Sequence, residues 1–206
     1  GWTWKIPLQH RTGNGYVFAD NFTDDQAALD TLLSNVGEPL QGEPLFIPFR
    51  TGIRKQPWKR NCLSLGLAQG FLEPLESTAI HLVSKSLALF VRMFPGKHSN
   101  ELLQDEFNRR LTADYEEIRD FLILHYCETQ RDDTAFWQWC QYDMPLPDSL
   151  QHKLDFFRRG GGLIPGVEEL FQPTSWYAVF DGMGVKPTAY NPTLDALDYP
   201  TLSRSL

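Results

Sequence analysis

Residues 61–78 read NCLSLGLAQGFLEPLEST, and this stretch constrains the interpretation of the chain more than any other. It holds two glycines, Gly66 and Gly70, a Glu73-Pro74 turn, and two hydroxyl residues just before a helical pattern begins. Glycine lets the backbone approach a flat ligand closely, and open amides at the start of a helix attract anions. The stretch therefore predicts a backbone-lined site for a small, flat or anionic ligand. Plain packing of a helix on a strand explains two glycines at this spacing equally well, so both interpretations stay open here.

The segments that flank this stretch predict an α+β chain. On the N-terminal side, apolar residues alternate over 2–8, a turn signal occupies Gly13-Asn14-Gly15, and Leu45–Phe49 has the composition of a short strand. On the C-terminal side, the apolar period becomes helical from about Ser77. Two long amphipathic helices are predicted there, and shorter ones are predicted at 133–142, 148–158 and 166–171. The sequence thus predicts a small mixed sheet edge followed by a mostly helical half.

The length, composition and net charge are those of a folded, acidic protein. The chain has 206 residues, of which 42% are hydrophobic, with a net charge of −7 and a pI near 5.2. This charge argues against a nucleic acid or an anionic membrane as the main partner. No run approaches the roughly 20 apolar residues of a membrane helix, and no signal peptide is visible. The cysteines form no paired pattern, and His10, His98 and His152 lack metal-ligand spacing. We therefore expect a cytoplasmic protein without a metal site.

Two segments together resemble the flavin-dependent halogenases of the tryptophan halogenase family. The first is Trp2-x-Trp4-x-Ile6-Pro7, and the second is Gly-Phe-x-Glu-Pro-Leu-Glu-Ser-Thr over residues 70–78, in the order that the family has them. The resemblance implies the C-terminal part of a flavin-monooxygenase-like FAD domain, with its halide site and a sheet edge, over residues 1–76. It implies a mostly helical substrate-binding region over residues 77–206.

The start of the chain suggests that it is incomplete. It begins at Gly1 without a methionine, and no Gly-x-Gly-x-x-Gly turn follows a predicted strand. We therefore expect the C-terminal portion of a longer polypeptide, whose upstream part carries the dinucleotide-binding turn. The resemblance also implies an essential upstream lysine, because no lysine of this chain matches the family's position. This portion by itself is expected to be inactive.

Trp2 and Trp4 are two positions apart on a predicted strand, so their indoles leave the same face. Taken alone, this spacing fits a core stripe as well as an apolar wall. The resemblance implies the wall, which lies beside the flavin and keeps the substrate away from the reactive part of its ring. It also implies that the flavin is contacted by Trp2, Trp4, Ile6, Pro7, Gly66, Gly70, Phe71, Glu73, Pro74 and Leu75.

The chemistry is expected at Glu76, Ser77, Thr78 and Ala79. Ser77 has the identity of a helix N-cap, which would leave the amides of Thr78, Ala79 and Ile80 without partners inside the helix. These amides and the helix dipole can attract a halide, although an ordinary solvated cap has the same sequence. The resemblance implies that Glu76 and Ser77 are catalytic and join the flavin site to the lysine. It further implies that the backbone of Thr78 and Ala79 binds chloride or bromide.

A second candidate segment runs from His125 to Trp137. His125 and Tyr126 stand where tryptophan-acting family members have an aromatic pair, and Asp132 stands where they have a carboxylate. An aromatic pair can enclose an indole, and a carboxylate can hold an ammonium group. The resemblance therefore implies substrate contacts from His125, Tyr126, Asp132, Phe136 and Trp137. A helix terminus with a capping Asp and two core aromatic residues explains the same segment equally well.

The function that the resemblance implies is that of an FAD-dependent halogenase, an oxidoreductase that chlorinates or brominates an indole, tryptophan-like or other electron-rich aromatic ring. It would use dioxygen, chloride or bromide, and reduced FAD from a separate flavin reductase, and a homodimer is one arrangement that fits. Two alternatives stay open. One is an aromatic flavin monooxygenase that uses no halide, against which the tryptophan wall argues. The other is a helical binding module without chemistry.

Overall fold

The computed structural model describes residues 1–37, 39–97, 100–164, 166 and 169–198, and the chain divides into two compact units. The hairpin unit consists of Gly1–Phe49 with Thr129–Met144, and the helical unit consists of Arg50–Glu128 with the chain from Pro145 onwards. The elements in chain order are β1 (Trp2–Pro7), β2 (Thr12–Val17), α1 (Asp25–Asn35), β3 (Gly52–Ile53), β4 (Trp58–Lys59), β5 (Cys62–Leu63), β6 (Gly70–Phe71), α2 (Ala79–Arg92), α3 (Glu101–Cys127), α4 (Ala135–Tyr142), α5 (Asp148–Gly160) and α6 (Pro173–Gly182).

This mixture of helices and short strands agrees with the predicted α+β class. The predicted ranges 1–76 and 77–206 are defined by function rather than by compactness, and their roles stay predictions. Among the described residues, no helix is both long and apolar enough to cross a lipid bilayer.

The strands β1 and β2 pair as an antiparallel hairpin, but its turn does not lie at the predicted turn signal. The amide of Leu8 donates to the Arg11 carbonyl at 2.8 Å, so residues 8–11 form the turn, whereas the predicted turn at 13–15 lies inside β2. Gly15 pairs with Trp4, and a β-carbon on Gly15 would lie 2.2 Å from the Trp4 indole. This glycine therefore makes room for a large side chain on the opposite strand.

Helix α3 is the central element of the helical unit. Its cap residue, Asn100, accepts hydrogen bonds from the amides of Leu102 and Leu103. Apolar residues three or four positions apart share one face of a helix, and this face of α3 is buried; it includes Phe107, Leu111, Tyr115, Ile118 and Leu122. Helices α2, α5 and α6 complete this core through Leu82, Leu150, Leu154, Trp176 and Phe180.

Strand β4 pairs with β5, and side chains of α3 hold its backbone as well. Asn108 Oδ1 accepts from the Trp58 amide at 2.8 Å, and Asn108 Nδ2 donates to the Trp58 carbonyl at 2.9 Å. One helical turn earlier, Gln104 Oε1 accepts from the Arg60 amide at 2.7 Å. The Trp58 ring is buried against Phe107. The short β4–β5 hairpin is thus fixed on α3 just before the glycine-containing stretch begins.

Two predicted elements are wrong. Leu45–Phe49 forms no strand, because its side chains are exposed and no strand lies beside it among the described residues. The helix predicted at 166–171 is absent from its described residues. There, the Glu117 carboxylate on α3 accepts from the amides of Leu170 and Phe171 at 3.2 and 3.3 Å, which ties this connection to α3 in a non-helical form. The helix follows instead as α6, with proline in its first turn, where proline is tolerated.

Candidate active site

The Glu73–Thr78 turn connects β6 to α2 and has a strained backbone. Glu76 and Ser77 have φ angles of 64° and 53°, which lie in the left-handed region that favours glycine. Such residues cost about 1–3 kcal/mol each and persist only where the surrounding contacts hold them. The Ser77 amide donates to the Pro74 carbonyl at 2.9 Å, which closes a short 3₁₀ turn. The strain falls on the two residues to which the sequence assigns the chemistry.

The start of α2 differs from its prediction, because Ser77 is not the N-cap. The helix begins at Ala79, and Thr78, which is buried, occupies the cap position without a side-chain hydrogen bond. Within the described part of the chain, no protein group accepts a hydrogen bond from the amides of Thr78, Ala79 or Ile80. The predicted open amides are therefore present, although the left-handed backbone of Ser77 removes it from the capping role.

One cavity brings together the glycines and the start of α2. It has a volume of about 150 Å³, and its lining includes Gly66, Gly70, Thr78, Ala79 and Tyr115; the remaining lining residues are apolar. Three of the ten residues predicted for flavin contact, Gly66, Gly70 and Phe71, thus line the same cavity as Thr78 and Ala79, which are predicted for halide binding. Pockets for drug-sized ligands have volumes of about 300–1,000 Å³. This cavity therefore suits a single ion and the edge of a larger ring.

His125 and Tyr126, near the end of α3, contact the Glu73–Thr78 turn. The Tyr126 hydroxyl donates to Glu73 Oε1 at 2.5 Å. His125 Nε2 lies 3.2 Å from Glu76 Oε1, and His125 Nδ1 lies 2.8 Å from the carbonyl oxygen of Phe121. Consecutive residues of one helix therefore hold two carboxylates of the same turn. Both residues are predicted to contact the substrate, and their contacts with Glu73 and Glu76 are not predicted from the sequence.

The other three predicted substrate residues belong to the hairpin unit. Thr134, rather than an aspartate, caps α4, and the exposed Asp132 accepts from Gln138 Nε2 only through its backbone carbonyl, at 2.8 Å. Trp137 is buried under the Arg131 guanidinium, which lies 4.8 Å from its ring centre. Phe136 packs edge-on against Trp137 at 4.9 Å. A substrate role for Asp132, Phe136 and Trp137 stays a prediction.

The predicted tryptophan wall lies on β1. Trp2 and Trp4 are half-buried, whereas Ile6 and Pro7 are exposed, so none of the four belongs to the buried core. Trp4 and Ile6 line a cleft of about 700 Å³ with the loop that follows α1. The core-stripe alternative is thus not supported for these tryptophans, and their contact with flavin stays a prediction.

The sequence model of one family covers nearly the whole chain: that of the tryptophan halogenases matches residues 1–199. The chain belongs to the tryptophan halogenase family. It is 35% identical over 97% of its length to tryptophan 6-halogenase ThaL of Streptomyces albogriseolus, covering 40% of that protein. It is 33% identical over 95% of its length to tryptophan 7-halogenase KtzQ of Kutzneria sp., covering 39%.

Solved structures of family members have the same fold. BrvH, a flavin-dependent halogenase from Brevundimonas sp. BAL3, matches all of the chain with a TM-score of 0.93 and 41% identity, over 42% of its own length. A flavin-dependent halogenase from Xanthomonas campestris matches 99% of the chain with a TM-score of 0.92 and 40% identity, over 41% of its own length. The chain therefore spans about two-fifths of the halogenases that it matches.

Tyr115 is a cavity residue of this halogenase-family chain that no sequence motif singles out. Its hydroxyl accepts from the buried Gln69 Nε2 at 3.3 Å, and Gln69 Oε1 has no partner within the described residues. Burial raises the pKa of the Tyr115 phenol, and the hydrogen bond from Gln69 opposes this rise. The sequence signal for this role is a tyrosine, with its polar hydroxyl, at a position of α3 that is otherwise apolar.

No group of three or more His, Cys, Asp or Glu side chains among the described residues is placed to hold a metal ion. His98, one of the histidines considered from the sequence, lies outside the described residues.

We expect the substitution Gly70→Ala to disturb the cavity and its strand pair. A β-carbon at Gly70 would lie 2.7 Å from the Gly52 carbonyl oxygen, 2.9 Å from the Tyr115 ring and 3.0 Å from Ile53 Cα. Two of these neighbours are backbone atoms, so β3 must shift, and overpacking of this kind costs about 1–3 kcal/mol of unfolding free energy. Urea denaturation followed by circular dichroism measures this loss.

The matched control for this substitution is Gly96→Ala, because a β-carbon at Gly96 would meet no atom within 4 Å. We expect the control to change the unfolding free energy by less than about 0.5 kcal/mol. Equal stability of the Gly70→Ala and Gly96→Ala variants would contradict the close approach of β3 and β6.

Proposed function

We propose that the protein containing this chain is an FAD-dependent halogenase, an oxidoreductase that chlorinates or brominates an electron-rich aromatic ring, with indole or a tryptophan-like compound as the leading substrate class. The proposal is supported by membership of the tryptophan halogenase family and by the names of the relatives, which are tryptophan or flavin-dependent halogenases. Residues 1–76 would complete a flavin-monooxygenase-like FAD domain with its halide site, and 77–206 would form the substrate-binding region.

The observation that carries this proposal is the group of open amides at the start of α2. The amides of Thr78, Ala79 and Ile80 have no protein acceptor among the described residues, and the cavity that Thr78 and Ala79 line also includes Gly66 and Gly70. A helix N-terminus with free amides favours an anion electrostatically, by up to about 2 kcal/mol when partly buried. A β-carbon at Gly66 would meet only Val83, at 3.6 Å, so this side of the cavity has room for the edge of a flat ring, whereas the missing β-carbon at Gly70 lets β3 and Tyr115 approach. These residues fit both a halide and FAD.

Different residues of the chain would shield the substrate, line the cofactor and bind the halide. Reduced FAD, when bound, supplies the reaction of dioxygen with halide that yields an electrophilic halogen. The wall residues Trp2, Trp4, Ile6 and Pro7 would keep the aromatic substrate away from the flavin. The segment of Gly66, Gly70, Phe71, Glu73, Pro74 and Leu75 would line the cofactor, and the backbone of Thr78 and Ala79 would hold chloride or bromide.

We assign the proton-transfer step to Glu76. When a halogen adds to an aromatic ring, the proton on the substituted carbon must leave, and a carboxylate within hydrogen-bond reach accepts it. The Glu76 side chain is 36% exposed, so a substrate can approach it, and Ser77 continues the same strained backbone. Tyr126, Asp132, Phe136 and Trp137 are the proposed surroundings of the substrate, and the family resemblance is what assigns His125 to them.

The same proposal includes a separate flavin reductase as partner, a cytoplasmic location, and a homodimer as one arrangement that fits. Activity is expected only when the chain is joined to the remaining part of a halogenase, since the relatives are about two and a half times as long as the matched portion.

The proposed function predicts a halogenated product whose formation depends on halide. The protein is incubated with FAD, a flavin reductase and indole, with bromide in one sample and without halide in another, and the products are analysed by mass spectrometry. We expect a product with the two-isotope pattern of bromine only when bromide is present. A hydroxylated indole formed in both samples would support the flavin monooxygenase alternative, and no product in either would support a binding module.

A further inference from the structure

His125 lies near the end of α3 in a position that fixes its ring. Its side chain is only 16% exposed, and its ring packs edge-on against Phe121 at a centroid distance of 5.0 Å and an angle of 85°. His125 Nδ1 lies 2.8 Å from the Phe121 carbonyl oxygen, four residues earlier on the same helix. A carbonyl oxygen only accepts hydrogen bonds, so this contact requires a proton on Nδ1.

The other ring nitrogen also faces an acceptor. His125 Nε2 lies 3.2 Å from Glu76 Oε1, and an ionised carboxylate has no proton to give. A neutral imidazole carries one N–H and can satisfy only one of these two contacts, whereas an imidazolium carries two and satisfies both. The geometry therefore brings both ring nitrogens within hydrogen-bond distance of an acceptor oxygen, with the Phe121 carbonyl holding the ring in orientation.

The carboxylate that His125 meets belongs to a backbone that needs support. Glu76 and Ser77 both have positive φ angles, and such strain persists only where neighbouring contacts hold it. The adjacent Tyr126 hydroxyl holds Glu73 at the other end of the same turn. The titratable groups at this place are thus His125 and Tyr126 from α3 and Glu73 and Glu76 from the turn. Phe121 contributes only its carbonyl and its ring.

We propose that His125 is a positioning residue for Glu76, rather than a wall of the substrate pocket. Its Nε2–H holds the carboxylate in one orientation, so that the second carboxylate oxygen stays available for the proton that leaves the halogenated ring carbon. This inference rests on the proposed function for its catalytic consequence, but the His125–Glu76 hydrogen bond can be measured without turnover.

The substitution His125→Phe tests the positioning role, because it keeps an aromatic ring beside Phe121 and removes both N–H donors. We expect kcat for the aromatic substrate to fall about tenfold to a hundredfold, the range produced by small misplacement of a catalytic group, with little change in KM. His125→Gln retains a donor that can reach Glu76 and should recover part of kcat. His152→Phe, on the exposed face of α5, is the matched control and should behave like the unmodified protein.

The pH profile adds a readout that a purely structural role would not move. We expect the profile of kcat to change in His125→Phe and to stay unchanged in His152→Phe. A higher KM with unchanged kcat in His125→Phe would overturn the proposal and return His125 to the substrate pocket. Equal kcat values for the His125→Phe and His125→Gln variants would overturn it as well.

A nuclear magnetic resonance measurement separates this inference from the proposed function. In protein labelled with ¹⁵N-histidine, the Nε2–H of His125 should give a protected, hydrogen-bonded signal that disappears in Glu76→Ala and persists in a variant of an exposed carboxylate on α3, Glu116→Ala. A signal unaffected by Glu76→Ala would refute the pairing. If the unmodified protein forms no halogenated product but the signal depends on Glu76, the proposed function fails and the pairing stands.

Discussion

Glu76→Gln is expected to lower kcat for halogenation by about one to four orders of magnitude while flavin binding is retained. A positioned general base contributes about 10²- to 10⁴-fold, and an amide cannot take the proton from the ring carbon. The substitution preserves the size of the side chain and leaves a carbonyl oxygen for His125 Nε2–H, which lies 3.2 Å from Glu76 Oε1. The strained turn should therefore keep its shape. Steady-state kinetics with bromide and indole, alongside a flavin titration, measure both effects.

Glu116→Gln is the matched control for this prediction, because Glu116 is an exposed carboxylate on α3 outside the candidate site. Its turnover should equal that of the unmodified protein. If Glu76→Gln retains full turnover as well, Glu76 does not accept the proton, and the catalytic role proposed for the turn is wrong.

Asn108→Leu is expected to reduce the free energy of unfolding by about 2–5 kcal/mol. Asn108 donates to and accepts from the backbone of Trp58 at 2.9 and 2.8 Å, and leucine of similar volume would leave both backbone groups buried without partners. Each unsatisfied buried group costs about 1–3 kcal/mol, to which the gain of apolar burial provides only a partial offset. Urea denaturation of the chain, followed by far-ultraviolet circular dichroism, measures the change.

An exposed asparagine serves as control for the chemistry of this substitution. Asn35, at the end of α1, is exposed, and Asn35→Leu should change the unfolding free energy by less than about 0.5 kcal/mol. Comparable stability of the two variants would mean that water or a shifted side chain satisfies the Trp58 backbone, and that α3 does not hold β4 through Asn108.

Local sequence patterns predict the helices and the hairpin pairing because these depend on residues close together in the chain. The buried face of α3 follows from apolar residues three and four positions apart, and β1 follows from alternation. The turn of that hairpin is not predicted correctly, because Gly15 serves the indole of Trp4 across the strand pair. A glycine that forms a turn and a glycine that leaves space for a neighbouring side chain cannot be distinguished in the sequence.

The candidate site was accessible from the sequence only in part. Open amides at the start of α2 follow from the motif, but the positive φ angles of Glu76 and Ser77 do not, because residues other than glycine rarely adopt them. The contacts of His125 with Glu76 and of Tyr126 with Glu73 join positions about fifty residues apart in the chain. Such pairings depend on how α3 packs beside the turn, which no local pattern records.

The clearance of 2.2 Å between a β-carbon at Gly15 and the Trp4 indole has a consequence for laboratory evolution of this protein. Every single substitution at Gly15 must displace the indole, so we expect these variants to be less stable while Trp4 is unchanged. A smaller residue at position 4 opens the space that a side chain at position 15 needs, and the two sites then show positive epistasis. Libraries that aim to reshape the cleft beside β1 should therefore randomise both positions together.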